Sequence, residues 1–181
     1  MILLTLSSKV KRKVQISEGL IDQVDLEEEP INKISVIERH HKTGKHFTGF
    51  IEGLGLTNAA IAQTIAHDSH NIIVLGDNDS DMQVAVNSLI DLHGGIVIVS
   101  NGLILESIAL PIGGIMTCEK PVNVLKKVKQ LNKLAKAHGI KPGIDPFITL
   151  SFMALPVIPE LKITPRGLFD YSKFKFINLC D

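Results

Sequence analysis

The chain has 181 residues, enough for one domain or one domain with an attached arm, and with 45% hydrophobic and 21% charged residues it has the balance of an ordinary globular protein. Lysine plus arginine equals aspartate plus glutamate at 19 each, so global charge gives no support to nucleic-acid binding. No apolar run approaches the ~20 residues of a bilayer span, and the two cysteines, Cys118 and Cys180, have no neighbour at ligand spacing. A soluble chain in a reducing cytoplasm is therefore expected, with neither membrane nor nucleic acid as partner. The opening "MILLTLSSKVKRK" puts its basic residues after a very short apolar run, the wrong order and length for a secretory signal.

Along the chain, "VKRKVQI" alternates like a strand, and the basic residues at 9–13 and the acidic run at 25–29 read as solvated edges. "KISVIER" (33–39) alternates again and predicts a strand, followed by the polar loop "HHKTGK" turning at Gly44. In "FTGFIEGLGL", Gly49, Gly53 and Gly55 suit bends and close backbone approach, and their spacing does not match a dinucleotide-binding fingerprint. "AIAQTIA" (60–66) and "NIIVLG" (71–76) predict a hairpin around "HDSH". Apolar residues at Met82, Ala85, Val86, Leu89 and Ile90 predict an amphipathic helix over 79–92, capped from 77–81 and closed by Gly94. "GIVIVS", Asn101-Gly102 and "LILESIAL" predict a second hairpin, with positive φ at both turn residues. A helix is expected over 121–138, burying Val124, Val128, Leu131 and Ala135 and ended by Gly139. A short helix or strand near 146–154 should then give way to extended chain. Hairpins with helices between them imply an α+β fold of layers, with a largely antiparallel or mixed sheet and packed helices.

Chemistry concentrates at residues 67–71, His67, Asp68, Ser69, His70 and Asn71. Two histidines three apart are a partial metal site, since zinc or iron needs three or four convergent ligands. The others would have to come from His40, His41, His46 or Cys118. Asp68 and Ser69 are also ordinary turn formers whose side chains bond backbone amides. The third reading is a loop presented to a ligand or to a neighbouring active site. Arg39 with His40 can grip an anion or simply end an exposed strand, and Asp145 before Pro146 is a cap or an acid. The His-x-Glu with Pro-Cys-x-x-Cys of zinc nucleobase deaminases is absent, as is Gly-x-Ser-x-Gly.

The segments "VIERHHKTG", "GFIEGLGL", "AIAQTIAHDSHNIIVLGDNDSDM", "LPIGGIM" and "DPFITLSFMALPVIPELKITPRGL" together resemble the C-terminal domain of bacterial and archaeal adenine deaminases, over residues 34–170. Where His41 stands the family pattern usually has Gly, and "GGIM" usually reads with Ala before Gly-Leu-Met. The resemblance implies hydrolysis of adenine to hypoxanthine and ammonia by an amidohydrolase-superfamily enzyme. The implied centre holds manganese or iron in a β/α barrel, where the metal lowers the pKa of the attacking water. The barrel's His-x-His does not occur in this chain, and a barrel needs ~250 residues. The implied partners are that N-terminal barrel domain or subunit, adenine in the intact enzyme, and further copies in a homo-oligomer. No metal and no cofactor is expected in the chain itself, and no catalytic residue is assigned to it. Residues 1–32 are set apart as an N-terminal arm, 33–170 as the deaminase-like domain and 171–181 as a tail. The loop at 67–71 then has two roles open, covering the barrel's active site or organising the interdomain contact. A free-standing purine-binding module and a structural oligomerisation module remain the alternatives.

Overall fold

The computed structural model describes residues 30–179 in full, together with the backbone of residues 2–4, 9–11, 15–17 and 20–22. The side chains of the basic patch at 9–13, the acidic run at 25–29 and Cys180 lie outside the described residues. The stretch read as one strand, 10–16, falls on two short strands whose connection is likewise outside them.

The architecture is α+β, as the hairpin pattern implies. Its strands are β1 (Ile2–Leu4), β2 (Lys9–Lys11), β3 (Gln15–Ser17), β4 (Leu20–Asp22), β5 (Ile31–Ile37), β6 (His46–Glu52), β7 (Ala60–Gln63), β8 (Ile72–Gly76), β9 (Gly95–Ser100), β10 (Leu103–Ala109), β11 (Leu161–Thr164), β12 (Gly167–Asp170) and β13 (Lys175–Ile177). The helices are α1 (Asp79–Asp91), α2 (Pro121–Ala137) and α3 (Pro146–Met153). Eight strands form one sheet in the order β10-β9-β7-β8-β5-β6-β1-β2. Every neighbouring pair in it is antiparallel except β1 with β6. Strands β11, β12 and β13 make a second antiparallel sheet.

Both faces of the large sheet are covered at its central strands β7, β8 and β9, and strand alternation assigns each residue to a face. Ala60, Ala62, Ile72, Val74, Val97 and Val99 meet Met82, Ala85 and Leu89 of α1. Ile61, Ile73, Leu75 and Ile98 point the other way, into a larger core shared with α2, α3, β11 and β12. Central strands buried on both sides explain why "IIVLG" and "GIVIVS" read as nearly continuous apolar runs.

Helix α1 begins as expected, with the Asn78 side chain accepting from Asp81 N–H. It ends with His93 at φ 58 and the Gly94 N–H on the Leu89 carbonyl. The turn of the β9–β10 hairpin has Asn101 at φ 52 and Gly102 at φ 74, as the dipeptide requires. Close approach at the glycines is real between Gly55 and Gly139. A Cβ on Gly55 would sit 2.8 Å from the Gly139 carbonyl oxygen.

Four expectations need correction. "HFTGFIE" is a full strand, with Gly49 opposite Ile34 inside it, rather than a run of bends. The buried stripe of α2 holds for Leu131 and Ala135, whereas Val124 is half-buried and Val128 exposed. Helix α2 packs on β9 and on β10, the sheet edge, and its first half stays largely exposed, Val122 and Leu125 included. The first strand of the 60–76 hairpin stops at Gln63, after which Thr64 keeps only a backbone bond to Gly95, the next position along β9, while its side chain bonds the Gly114 carbonyl. The extended chain expected after 146–154 does not run free but pairs with itself as strands β11, β12 and β13. Among the described residues, no helix is long and apolar enough to cross a membrane.

Candidate functional site

Strand β5 emerges from the sheet centre beside β8 and delivers Glu38, Arg39 and His40 to the end where β7 turns into the 64–71 loop. Arg39 fastens that loop. Its Nε donates to the His70 carbonyl at 2.5 Å, its Nη2 to the Gly113 carbonyl at 2.6 Å, and its backbone N–H to Asn71 Oδ1 at 3.3 Å. The His40 ring donates from Nε2 to the Ser69 carbonyl at 2.5 Å, which fixes its tautomer. Asn71, buried, donates to Ser69 Oγ at 3.1 Å. Thr64 Oγ1 donates to the Gly114 carbonyl at 2.5 Å and accepts from Gly95 N–H at 2.9 Å. Helix α3 closes the other side, where the Ser151 carbonyl accepts from His67 N–H at 3.0 Å and the Phe152 ring lies 5.4 Å from the His67 ring.

The two loop histidines stand edge to face, with centroids 5.5 Å apart. His70 sits at φ 50, its N–H bonded to the Ala66 carbonyl and its Nδ1 accepting from Ala66 N–H at 3.3 Å. Burial pushes its pKa below the usual 6.5, helped by the nearby His67 and Arg39 charges. The ring is neutral at pH 7, and with Nδ1 accepting, its proton sits on Nε2. Burial also lowers the Arg39 pKa, yet an arginine stays charged at any physiological pH. Glu38 accepts from the N–H groups of His41 and Thr43 and from Thr43 Oγ1. Those bonds, the one from His41 foremost, hold its pKa at about 2.

Of the residues singled out from sequence, His67, Asp68, Ser69, His70, Asn71, Arg39 and His40 therefore converge. Asp145 does not join them. It is the N-cap of α3, its Oδ1 accepting from the N–H groups of Phe147 and Ile148, at the opposite end of the helix from Phe152. Thr64, Gly113 and Gly114 belong to the site and were not singled out. The Gly-Gly pair in "LPIGGIM" was the available signal. A Cβ on Gly114 would run into the Arg39 guanidinium. Beside the loop, two adjoining cavities of about 590 and 410 Å³ share Asn71, Pro156 and Val157 in their walls. The smaller is also lined by Asp68 and Ser69.

A sequence model of the adenine deaminase C-terminal domain matches residues 5–175. The chain belongs to this family. It is 48% identical over 172 residues to the adenine deaminase of Clostridium acetobutylicum, covering 94% of this chain and 30% of that protein. The Petrotoga mobilis adenine deaminase is 50% identical over 149 residues, covering 82% and 26%, and that of Halalkalibacterium halodurans 42% over 175 residues, covering 93% and 28%. This member of the family thus spans less than a third of the length of these relatives.

The resemblance places its manganese or iron in the barrel rather than in this chain. Among the described residues no three His, Cys, Asp or Glu side chains gather to hold a metal. His70 Nδ1 and His40 Nε2 are already engaged by Ala66 N–H and the Ser69 carbonyl.

Proposed function

We propose that this chain is the C-terminal part of an adenine deaminase, which hydrolyses adenine to hypoxanthine and ammonia. In this reading the 67–71 loop is presented to an active site held by a metal-binding amidohydrolase barrel. One observation carries it: the backbone of the loop is fastened at His67, Ser69 and His70, while its most reactive side chains are left free. Asp68 is exposed and makes no hydrogen bond among the described residues, and the neutral His70 keeps a proton on Nε2. A carboxylate acceptor beside an N–H donor complements an adenine edge, which offers the N6 amino group as donor and N7 as acceptor. The loop also excludes water when it closes over a bound base.

The test is steady-state kinetics of a two-domain protein in which this chain follows the preceding part of the Clostridium acetobutylicum relative. Losing a hydrogen bond to a charged group costs about 1.5–3 kcal/mol, so Asp68→Asn should lower kcat/KM about 10–100-fold. His67→Gln should have a smaller effect. Unchanged kinetics at unchanged thermal stability would reduce the loop to a structural turn.

A further inference from the structure

The fastened loop lies in the middle of an apolar ring. On one side, Gly113 and Gly114, bonded to Arg39 and Thr64, are flanked by the exposed side chains of Ile112, Ile115 and Met116, the last 54% exposed. On the second side, Phe152 touches the His67 ring and is still 41% exposed, with Ile148 one turn earlier on α3 at 57%. On the third, Val157 lines the cavities beside Asp68, Ser69 and Asn71 and is 62% exposed. Three separate segments thus place large apolar side chains around one polar centre. Scattered exposed apolar residues are normal, whereas a contiguous set around a polar site marks an interface. An apolar surround that shuts water away from a few polar contacts is the usual anatomy of a binding hot spot.

We infer that this ring is the seat of the rest of the deaminase, the portion that makes up the other two-thirds or more of the relatives. The inference rests on the function proposed above and adds the docking surface to it. Two features select this occupant. The ring is continuous with the loop that has to reach the active site, and the portion outside the family match is large enough to cover all three segments. Among the further exposed apolar residues, which include Val122, Leu125 and Val128 on α2 and Phe174, the run Leu103, Ile104 and Leu105 lies at the opposite end of β10, by the Asn101-Gly102 turn, and is not part of the seat. Docking there would leave the 67–71 loop in water.

Hydrogen exchange on the two-domain protein described above, compared with this chain alone, tests the inference. Amides at 112–116 and 148–157 should exchange at least tenfold more slowly in the two-domain protein. Met116→Asp and Phe152→Asp, both surface changes in different segments, should each restore the rates of the isolated chain, and Leu103→Asp should not. Equal rates in the two proteins, protection confined to 103–105, or protection that survives both variants would each overturn it. So would light scattering showing that the isolated chain dimerises and that Met116→Asp dissolves the dimer, because the ring would then be a seat for a second copy. The exchange readout is independent of turnover. Protection with silent Asp68→Asn kinetics refutes the proposed role of the loop and leaves the docking surface standing.

Discussion

Arg39→Gln is the sharpest single perturbation of the site. The guanidinium bonds two backbone carbonyls on different loops, His70 at 2.5 Å and Gly113 at 2.6 Å. Hydrogen bonds from a charged group contribute about 1.5–3 kcal/mol each, which puts an upper bound near 6 kcal/mol on the pair. Arg39 is only half-buried, so water replaces part of what is lost, and we expect about 2 kcal/mol. That energy is local: it holds two loops together and leaves the sheet intact. Native-state exchange of the His70 amide, bonded to the Ala66 carbonyl, should therefore accelerate about 30-fold, since 1.4 kcal/mol is a factor of ten. The Thr64 amide, bonded to Gly95 across the sheet, serves as the internal control and should be unchanged. Arg39→Lys should recover less than half of the effect, because a single ammonium on a flexible stem cannot fork between two carbonyls. Identical His70 exchange in wild type and Arg39→Gln would show that the loop is fastened by something else.

Gly114→Ala should reproduce the loop loosening with Arg39 itself unreplaced. Gly114 has φ +79 and its Cβ would displace the guanidinium, so about 1–2 kcal/mol of backbone strain adds to the lost Arg39 bonds, read by the same exchange assay. Asp81→Ala should cost about 2–4 kcal/mol in denaturant unfolding, because this buried carboxylate accepts from Gly102 N–H at 2.7 Å, Asn101 N–H at 3.2 Å and Asn78 Nδ2 at 3.0 Å. A loss below about 0.5 kcal/mol, the range of ordinary surface changes, would mean that the β9–β10 turn holds without it. His70 titrates below its usual 6.5 when folded, so the unfolded chain binds more protons between the two values and stability falls as pH drops from 6.5 through the folded pKa. A ring-proton NMR titration should give a midpoint below 6.5, with Ala66 amide exchange accelerating over the same interval. A midpoint at or above 6.5 would contradict the burial argument.

What the sequence disclosed follows the range of the forces involved. Asn101-Gly102 was legible because positive φ at two successive residues is a local demand that few dipeptides meet. The helix over 79–91 was legible because its cap and its apolar period lie within one element. The end of β7 was not. Nothing near Gln63 stops the strand, and past it Thr64 keeps its bond to Gly95 of β9 while its side chain turns to the Gly114 carbonyl, 50 positions away. The exposed half of α2 was hidden for the same reason, since an apolar stripe states what can be buried and not whether a neighbour reaches it. Asp81 reads in the sequence only as part of the cap stretch 77–81, and its bonds to the turn 20 and 21 positions on are invisible there.

The candidate site is the extreme case of this division. Its residue types were plain in "AHDSHN", but its geometry comes from Arg39 reaching 31 positions to His70 and 74 to Gly113. Such distant contacts hold a loop only when its ends are already fixed. The antiparallel register of β5, β7 and β8 supplies that, setting Ile37 beside Ile72 and Gln63 beside Ile73. With the frame in place, Arg39, His40 and Thr64 have carbonyls within reach, and the loop spends its backbone groups on them rather than on water. Of what it withholds, the His70 Nε2–H is held in position by the Ala66 N–H on the other ring nitrogen, so a partner site gains that donor at little cost in ordering, while the exposed Asp68 carboxylate is free to turn. An acceptor and a donor left free at the tip are what the proposed presentation to a neighbour would use, and the Asp68→Asn kinetics separate that reading from a structural turn, whose exposed side chains need no partner.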